Sequence, residues 1–370
     1  MNLSYWEYKS WLSNIDYTII GSGIVGLNCA LSLKERFPNA KVLVLERGIL
    51  PQGASTKNAG FACFGSISEI VDDLKSHSEE EVVELVQQRK DGIQLLRKNL
   101  GDIQIDYQNH GGHEVFMLNQ YNLYDKCLLK MDAVNKLLQP IFKKNPFVIN
   151  SNQFAFKNIC ENYITNTFES QLDTGKMIIS LLNLVQSKGI TILNAITVEE
   201  FSESNTGVSV KTNQFEFETK HVLIATNGFA SQLIPEKVVP TRAQVLITKP
   251  IKNLALKGTF HLDEGYYYFR NVKDRVLFGG GRNLDFKGEE TSSFGETNLI
   301  QNKLEELLRE TILPNTPFEI ESRWSGIMGK GKQKKPIVKQ LSNRVFCGVR
   351  MGGMGVAIGS LVGKELAELV

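Results

Sequence analysis

Cysteine is scarce in this chain. Its five residues, Cys29, Cys63, Cys127, Cys160 and Cys347, are odd in number, scattered, and form no Cys-x-x-Cys pair. That pattern excludes a disulfide framework and a structural zinc site. The five histidines, His77, His110, His113, His221 and His261, show no metal-ligand spacing, so no metal is expected. His113, after Gly111-Gly112, reads as structural. Long apolar runs are missing too: nothing approaches the roughly 20 residues that cross a bilayer. Met1–Leu12 carries Glu7, Lys9 and two tryptophans and reads as no secretory signal, so a reduced, cytoplasmic protein is the expectation. Nor is there an excess of one charge. Lys plus Arg number 42 against 40 for Asp plus Glu, a formal +2, and neither nucleic acid nor an anionic membrane is expected as a partner. Internal repeats and low-complexity linkers are absent.

What remains is an ordinary globular composition, 42% hydrophobic over 370 residues, enough for one large domain or two intertwined ones. Asp16–Ile20 reads as a short apolar strand, followed by a glycine turn and a helix ending near Phe37-Pro38. Lys41–Leu45 reads as the next parallel strand, buried on both faces, which completes one βαβ unit. Ser78-Glu79-Glu80-Glu81 is a capping box opening a helix to about Leu100. From about Asp102 to Phe156 the pattern is irregular. Thr174–Lys188 and about Glu296–Ile312 read as helices. Gly189–Leu193, His221–Ala225, Ala243–Thr248, Gly265–Phe269, Arg275–Gly279 and Val345–Cys347 read as strands, and a last helix closes the chain. The expected fold class is α/β: a Rossmann-like nucleotide-binding domain with a second, α+β domain built on a mixed β-sheet, each from discontinuous segments. The expected segments are 1–80, 150–235 and 322–370 for the first domain, and 81–149 and 236–321 for the second.

Gly21-Ser22-Gly23-Ile24-Val25-Gly26 follows a strand and opens a helix. In such a turn the first glycine permits the bend, the second lets backbone approach a pyrophosphate, and the third lets helix and strand pack closely. The helix N-terminus then offers its partial positive charge to phosphate. Glu46 ends the second strand, where a carboxylate takes ribose hydroxyls; a charge there repels the extra phosphate of NADP. Three further segments favour FAD over NAD. Gly53-Ala54-Ser55-Thr56-Lys57-Asn58-Ala59-Gly60 is small and polar, suited to lie against phosphate and a flavin edge. Ala225-Thr226-Asn227-Gly228 ends a strand in a tight turn. Gly352-Gly353-Met354-Gly355-Val356 makes a second helix N-terminus aimed at a negative group, such as the pyrimidine edge of a reduced flavin. Arg47 and Lys57 stand beside these motifs and are taken with them as cofactor contacts.

In this order, and with Trp324-Ser325-Gly326 read as a Trp-x-Gly turn, the residues resemble the FAD-dependent D-amino-acid oxidase/glycine oxidase superfamily. Tyr266-Tyr267-Tyr268-Phe269-Arg270 and Leu277-Phe278-Gly279-Gly280-Gly281 bring the likeness closest to its gamma-glutamylputrescine oxidase-like branch. The resemblance implies that Gly21, Gly23 and Gly26 hold the pyrophosphate. It implies that Glu46 holds the ribose and that Val198 presents its backbone to adenine. By the same likeness Ala54, Ser55, Asn58, Ala59 and Gly60 line the flavin, and Gly353, Met354 and Gly355 close over its pyrimidine side. Three departures stand out. No cysteine occurs from Arg323 to Pro336, where members with covalent flavin carry one, so the FAD is expected to be non-covalent. Met328 stands where many members place a carboxylate-binding arginine. Met354 stands where many have histidine.

The implied activity is oxidation of the CH–NH group of a small amine or amino acid by hydride transfer to flavin N5, with oxygen or another acceptor taking the electrons. Such chemistry asks mainly for positioning and desolvation. The candidate positioning residues are Arg350, beside the last glycine cluster; Tyr266 and Tyr268, which share a face if they lie on a strand; and Arg242, with Gln244, after Pro240. The run Lys330, Lys332, Lys334 and Lys335 reads as a solvated loop, or as a screen for an anionic substrate tail or the flavin. Two other readings fit the same residues: a flavin or NAD dehydrogenase of a hydroxy acid, and a non-catalytic flavin-binding electron-transfer or scaffold protein.

Overall fold

The computed structural model describes residues 3–370. Its frame is two eight-stranded sheets. In the first, Ile15–Ile20 runs parallel between Val42–Leu45 and Glu216–Ile224, with Val345–Val349 and Thr191–Leu193 parallel farther out. Every residue of Val42–Leu45 is buried, because both faces of the sheet are covered. Tyr17, Ile19, Val42 and Val44 face a helical layer, while Ile15, Leu43 and Leu45 face a cluster built on the hairpin Val198–Glu203 and Val208–Thr212. In the helical layer, Ile24–Arg36 and Gly355–Glu368 pack together: a Cβ on Gly363 would overlap the Val25 carbonyl oxygen at 2.5 Å. Here a glycine serves close approach rather than a bend.

The second sheet runs, in order, Ile320–Lys330, Val239–Thr248, Arg275–Gly280, Tyr267–Val272, Thr259–Leu262, Gly112–Val115, Asn162–Asn166 and Phe147–Ser151. It is antiparallel except where Thr259–Leu262 meets Gly112–Val115, so it is mixed, as expected. One face packs on Asn298–Leu307 through Phe260, Phe269, Phe278, Ile300 and Leu304.

The segments interleave more finely than 1–80, 150–235, 322–370 against 81–149, 236–321. Asn162–Asn166 pairs with Gly112–Val115 and so belongs to the second sheet, as does Ile320–Lys330, paired along its length with Val239–Thr248. Conversely Glu79–Leu100, capped by Ser78 as read, buries its apolar stripe in the helical layer of the first sheet. The irregular stretch after Asp102 contains a 22-residue helix, Tyr121–Phe142, with Tyr124, Cys127, Val134, Leu138 and Ile141 inward. Among the described residues no helix is long and apolar enough to cross a membrane.

Candidate active site

The strand Ile15–Ile20 delivers the glycine turn to the C-terminal edge of the first sheet. Gly21 takes φ of +107° against the Ala225 carbonyl, a conformation that side chains resist. Gly23 is the N-cap of Ile24–Arg36, and Ser55 Oγ accepts the Ile24 N–H at 2.9 Å. A Cβ on Gly26 would collide with the Gly21 carbonyl oxygen, which is the close helix–strand packing read from sequence. Glu46 is buried beneath this turn. Its carboxylate accepts from the Ser22 N–H (3.2 Å), the Ser22 hydroxyl (2.7 Å) and the Gly48 N–H (2.9 Å). Ser22 is therefore committed to Glu46 and sealed from solvent.

These groups open into a cavity of ≈ 860 Å³ that runs to the second sheet. Its wall includes Gly21, Gly23, Ile24, Val25, Glu46, Arg47, Gly53, Ala54, Ser55, Lys57, Asn58, Ala59 and Val198 from the sequence reading. Ala225, Thr226, Gly352, Gly353, Met354, Gly355 and Val356 join them, as do Arg350, Tyr266 and Tyr268. Tyr266 and Tyr268 do share that face, while Tyr267 and Phe269 fill the core behind. Four other cofactor candidates lie behind the wall. Ser22 and Gly26 brace the turn, Gly60 (φ +74°) abuts the Leu172 carbonyl, and Gly228 packs under the Met328 carbonyl. Arg242 does not reach the cavity. Its guanidinium forms a two-point ion pair with buried Glu289 (3.0 and 2.7 Å), and Gln244 donates to the same carboxylate, so the strand residue is structural. Arg350, at φ +68°, turns its Nε and terminal N–H groups to the Lys335 carbonyl (3.1 and 2.8 Å), stapling the lysine loop. Trp324-Ser325-Gly326 is no turn; it lies inside Ile320–Lys330, with Trp324 Nε1 donating to the Lys57 carbonyl at 3.0 Å.

The FAD dependent oxidoreductase family matches residues 16–369. The chain belongs to that family. A probable oxidoreductase, OrdL, of Haemophilus influenzae is 22% identical over 97% of this chain and 83% of its own length. The gamma-glutamylputrescine oxidoreductase of Escherichia coli is 24% identical over 96% of this chain and 83% of its own length. The crystal structure of glycine oxidase from Bacillus cereus superposes with a TM-score of 0.76 at 16% identity, covering 96% of each chain, which shows a shared fold.

The residues of this FAD dependent oxidoreductase fit its cofactor. Added Cβ atoms at Gly53, Gly352 and Gly353 would meet nothing within 4 Å, so backbone borders open space on both sides of the cavity. The Thr226 hydroxyl is buried in its wall with no hydrogen-bond partner among the described residues. Arg47 is held 3.7 Å above the Phe229 ring, fixing a cation beside Glu46. Asn227 Oδ1 accepts the Met351 N–H (3.0 Å), tying the Ala-Thr-Asn-Gly turn to the last glycine cluster.

A buried polar group that reaches the wall at His261 has no signal in local sequence, because its members come from distant segments. Glu169 accepts the Phe64 and Gly65 N–H groups (2.8 and 3.1 Å) and lies 3.8 Å from His261 Nε2. Burial pushes the His261 imidazole down, but Glu169, Glu69 and Glu114 outweigh it and raise its proton affinity above the usual value. Burial also lifts Glu114 to about 6. His113 is structural: it bonds Thr165 Oγ1 at 2.9 Å, and burial lowers it to about 4. Cys63 also lines the cavity, 3.7 Å from Met354 Sδ; burial and Glu169 hold its thiol well above the usual range.

Proposed function

We propose that this protein oxidises the CH–NH group of a small amine or amino acid, holding FAD non-covalently and passing its electrons to oxygen. Bound there, FAD supplies the two-electron acceptor. The single observation behind the reading is the continuity of one cavity from the glycine turn and Glu46 to the Tyr266–Tyr268 wall, so cofactor and a small substrate share one chamber. The names of two similar proteins agree with it: gamma-glutamylputrescine and glycine both carry nitrogen beside an oxidisable carbon.

Residues of the chain would handle the substrate. Tyr268, whose hydroxyl burial pushes up to about 12, stays a neutral phenol and walls out water with Tyr266. His261, backed by Glu169, sits at the wall as a site for the proton an ammonium must lose before the nitrogen lone pair is free. Cys63, kept as a thiol, is a weak nucleophile, which supports non-covalent attachment.

An anaerobic bleaching screen tests this. Amines, N-methyl amino acids and D-amino acids should bleach the flavin, admission of air should restore the colour, and acid precipitation should leave all colour in the supernatant. Bleaching by hydroxy acids alone would transfer the enzyme to that class; bleaching by nothing would favour an electron-transfer or scaffold role. Colour retained in the pellet would overturn non-covalent binding.

A further inference from the structure

We propose that residues 331–336 are a strap that shuts one side of the chamber, latched by ion pairs to two helices, and that small molecules reach the chamber when the latch releases. The inference needs the chamber described above but not the substrate proposed for it.

The strap is a passage of chain between the two sheets. Ile320–Lys330 belongs to the second sheet, whereas Ile337–Gln340 lies in the first, antiparallel to Val345–Val349. Residues 331–336 therefore cross the seam that the cavity occupies. Gly331, Lys332, Gln333 and Lys334 line the cavity and are also exposed to solvent, so a single thickness of chain divides the two. The strap is neither helix nor strand, and among the described residues no backbone–backbone hydrogen bond holds it. Side chains hold it instead. Lys334 pairs with Asp73 at the end of Ile67–Asp73 (2.5 Å), and Lys335 pairs with Glu84 on Glu79–Leu100 (3.0 Å). Arg350 donates twice to the Lys335 carbonyl (3.1 and 2.8 Å) and backs Gly331, where an added Cβ would stand 2.7 Å from its Cδ.

The two latches differ in kind. The side chains of Lys335 and Glu84 are 57% and 51% exposed, so water and salt compete for their pair. The Asp73 side chain is only 6% exposed, and among the described residues Lys334 is the one partner of its carboxylate. Lifting the strap removes that counter-charge and leaves a carboxylate buried alone, the costly way to break a buried pair. The buried latch therefore favours the closed strap, and salt loosens it through the exposed one. The lysine run gains a division of labour. Lys330 roots the strap in its strand, Lys334 and Lys335 fasten it, and Lys332 is exposed with no ion pair among the described residues. A closed strap keeps bulk water from an occupied chamber.

The test uses the FAD-loaded enzyme and two readouts that need no turnover. Trypsin cleavage after Lys332 reads release of the strap, because a protease cuts the opened population. Acrylamide, an uncharged quencher, reads access to the flavin through its fluorescence. Wild type at low salt should be cut slowly at that bond and quenched poorly. Lys334→Met should speed the cut about tenfold, the loss of one partly buried pair, and raise the quenching constant with it. Asp73→Asn should do the same, and Lys334→Arg, which keeps the pair, should behave as wild type. Glu84→Gln, or salt near about 1 M, should give a smaller rise of about two- to fivefold. Equal cleavage in wild type, Lys334→Met and Asp73→Asn overturns the latch. Faster cleavage with unchanged quenching overturns the gate, since the strap would then move without uncovering the flavin. If Asp73→Asn loses flavin or melts lower, Lys334→Met, a change at a half-exposed side chain, decides the matter. If no amine bleaches the flavin, the amine-oxidation reading fails and the strap result stands.

Discussion

At Lys330, burial and a neighbouring guanidinium push in the same direction, and the result is measurable whatever occupies the cavity. Its amine is lowered from 10.5 to about 8, against which Glu69 acts in the opposite sense and Lys334 in the same one. A base whose folded proton affinity is depressed costs stability while it is charged. Between pH 8 and 10.5 the unfolded chain would hold a proton that the folded chain has released, so stability gains as pH rises through that window. Lys330→Met lacks this gain. The expected outcome is that wild type, relative to the variant, becomes more resistant to urea from pH 8 to pH 10.5, and that a methyl-labelled Lys330 titrates near 8 by NMR. A titration midpoint at the ordinary value would show the side chain free in water. Glu46 illustrates the opposite residue-scale arrangement: three donors already fix its carboxylate, so a ribose would meet an oriented acceptor rather than a mobile one.

Between elements, one close approach that the sequence hid is at Gly92. It lies mid-helix in Glu79–Leu100, where alanine ordinarily gains about 0.5–1 kcal/mol over glycine. Here a Cβ would strike the Ala357 carbonyl oxygen of Gly355–Glu368, a backbone atom that cannot step aside. Overpacking of this kind costs about 1–3 kcal/mol, so Gly92→Ala should lower the melting temperature despite better helix propensity. It should also weaken FAD binding, because the displaced helix opens at Gly355 on the cavity wall. A melting temperature at or above wild type would mean that the helices separate cheaply. The same scale shows what sequence conveys. Gly21, Gly23 and Gly26 were legible because their demands are local: a positive φ, a cap, a contact five residues away. Ser78 was legible for the same reason. Tyr121–Phe142 carried an apolar stripe at three- and four-residue spacing, but it lacks a side-chain cap at Gln120 and has Pro140 in its last turn, so its boundaries gave no signal. Trp324-Ser325-Gly326 looked like a turn because glycine usually marks one; its glycine instead leaves room beside a strand, where an added Cβ would stand 3.1 Å from Lys57 Cβ. The Arg242–Glu289 and His261–Glu169 pairs join residues far apart in the chain, and no spacing rule could anticipate them.

In the molecule as a whole, the cavity lies where the two sheets meet, and Arg270 is a tie across that seam. It is buried on the second-sheet strand Tyr267–Val272, yet it donates to the Ala59 carbonyl and, at 2.9 Å, to that of Leu172. A third bond runs to its neighbour Asn271 (3.0 Å). Among the described residues no carboxylate pairs with it; burial lowers it to about 10, with Asp173 and Asp106 only partly offsetting that. Arg270→Met fills much of the same volume and removes the donors. Each carbonyl left buried and unpaired costs about 1–3 kcal/mol, while loss of the buried charge returns part of that, so a net destabilisation of about 1–4 kcal/mol is expected. The Ala59 end of the tie lines the cavity, so the loosened seam should bind FAD less tightly as well. Linkage then separates the two effects. A ligand at a hundredfold over its Kd stabilises by about 2.7 kcal/mol, and a weaker Kd shrinks that increment. Melting curves of wild type and variant at stepwise FAD concentrations should show a lower apo melting temperature for Arg270→Met, and a smaller rise per decade near the wild-type Kd. If the apo temperatures agree, the two carbonyls find water or other donors and the tie is not structural. If the apo temperature falls but the FAD-dependent rise matches wild type, Arg270 joins the sheets without shaping the cofactor's chamber.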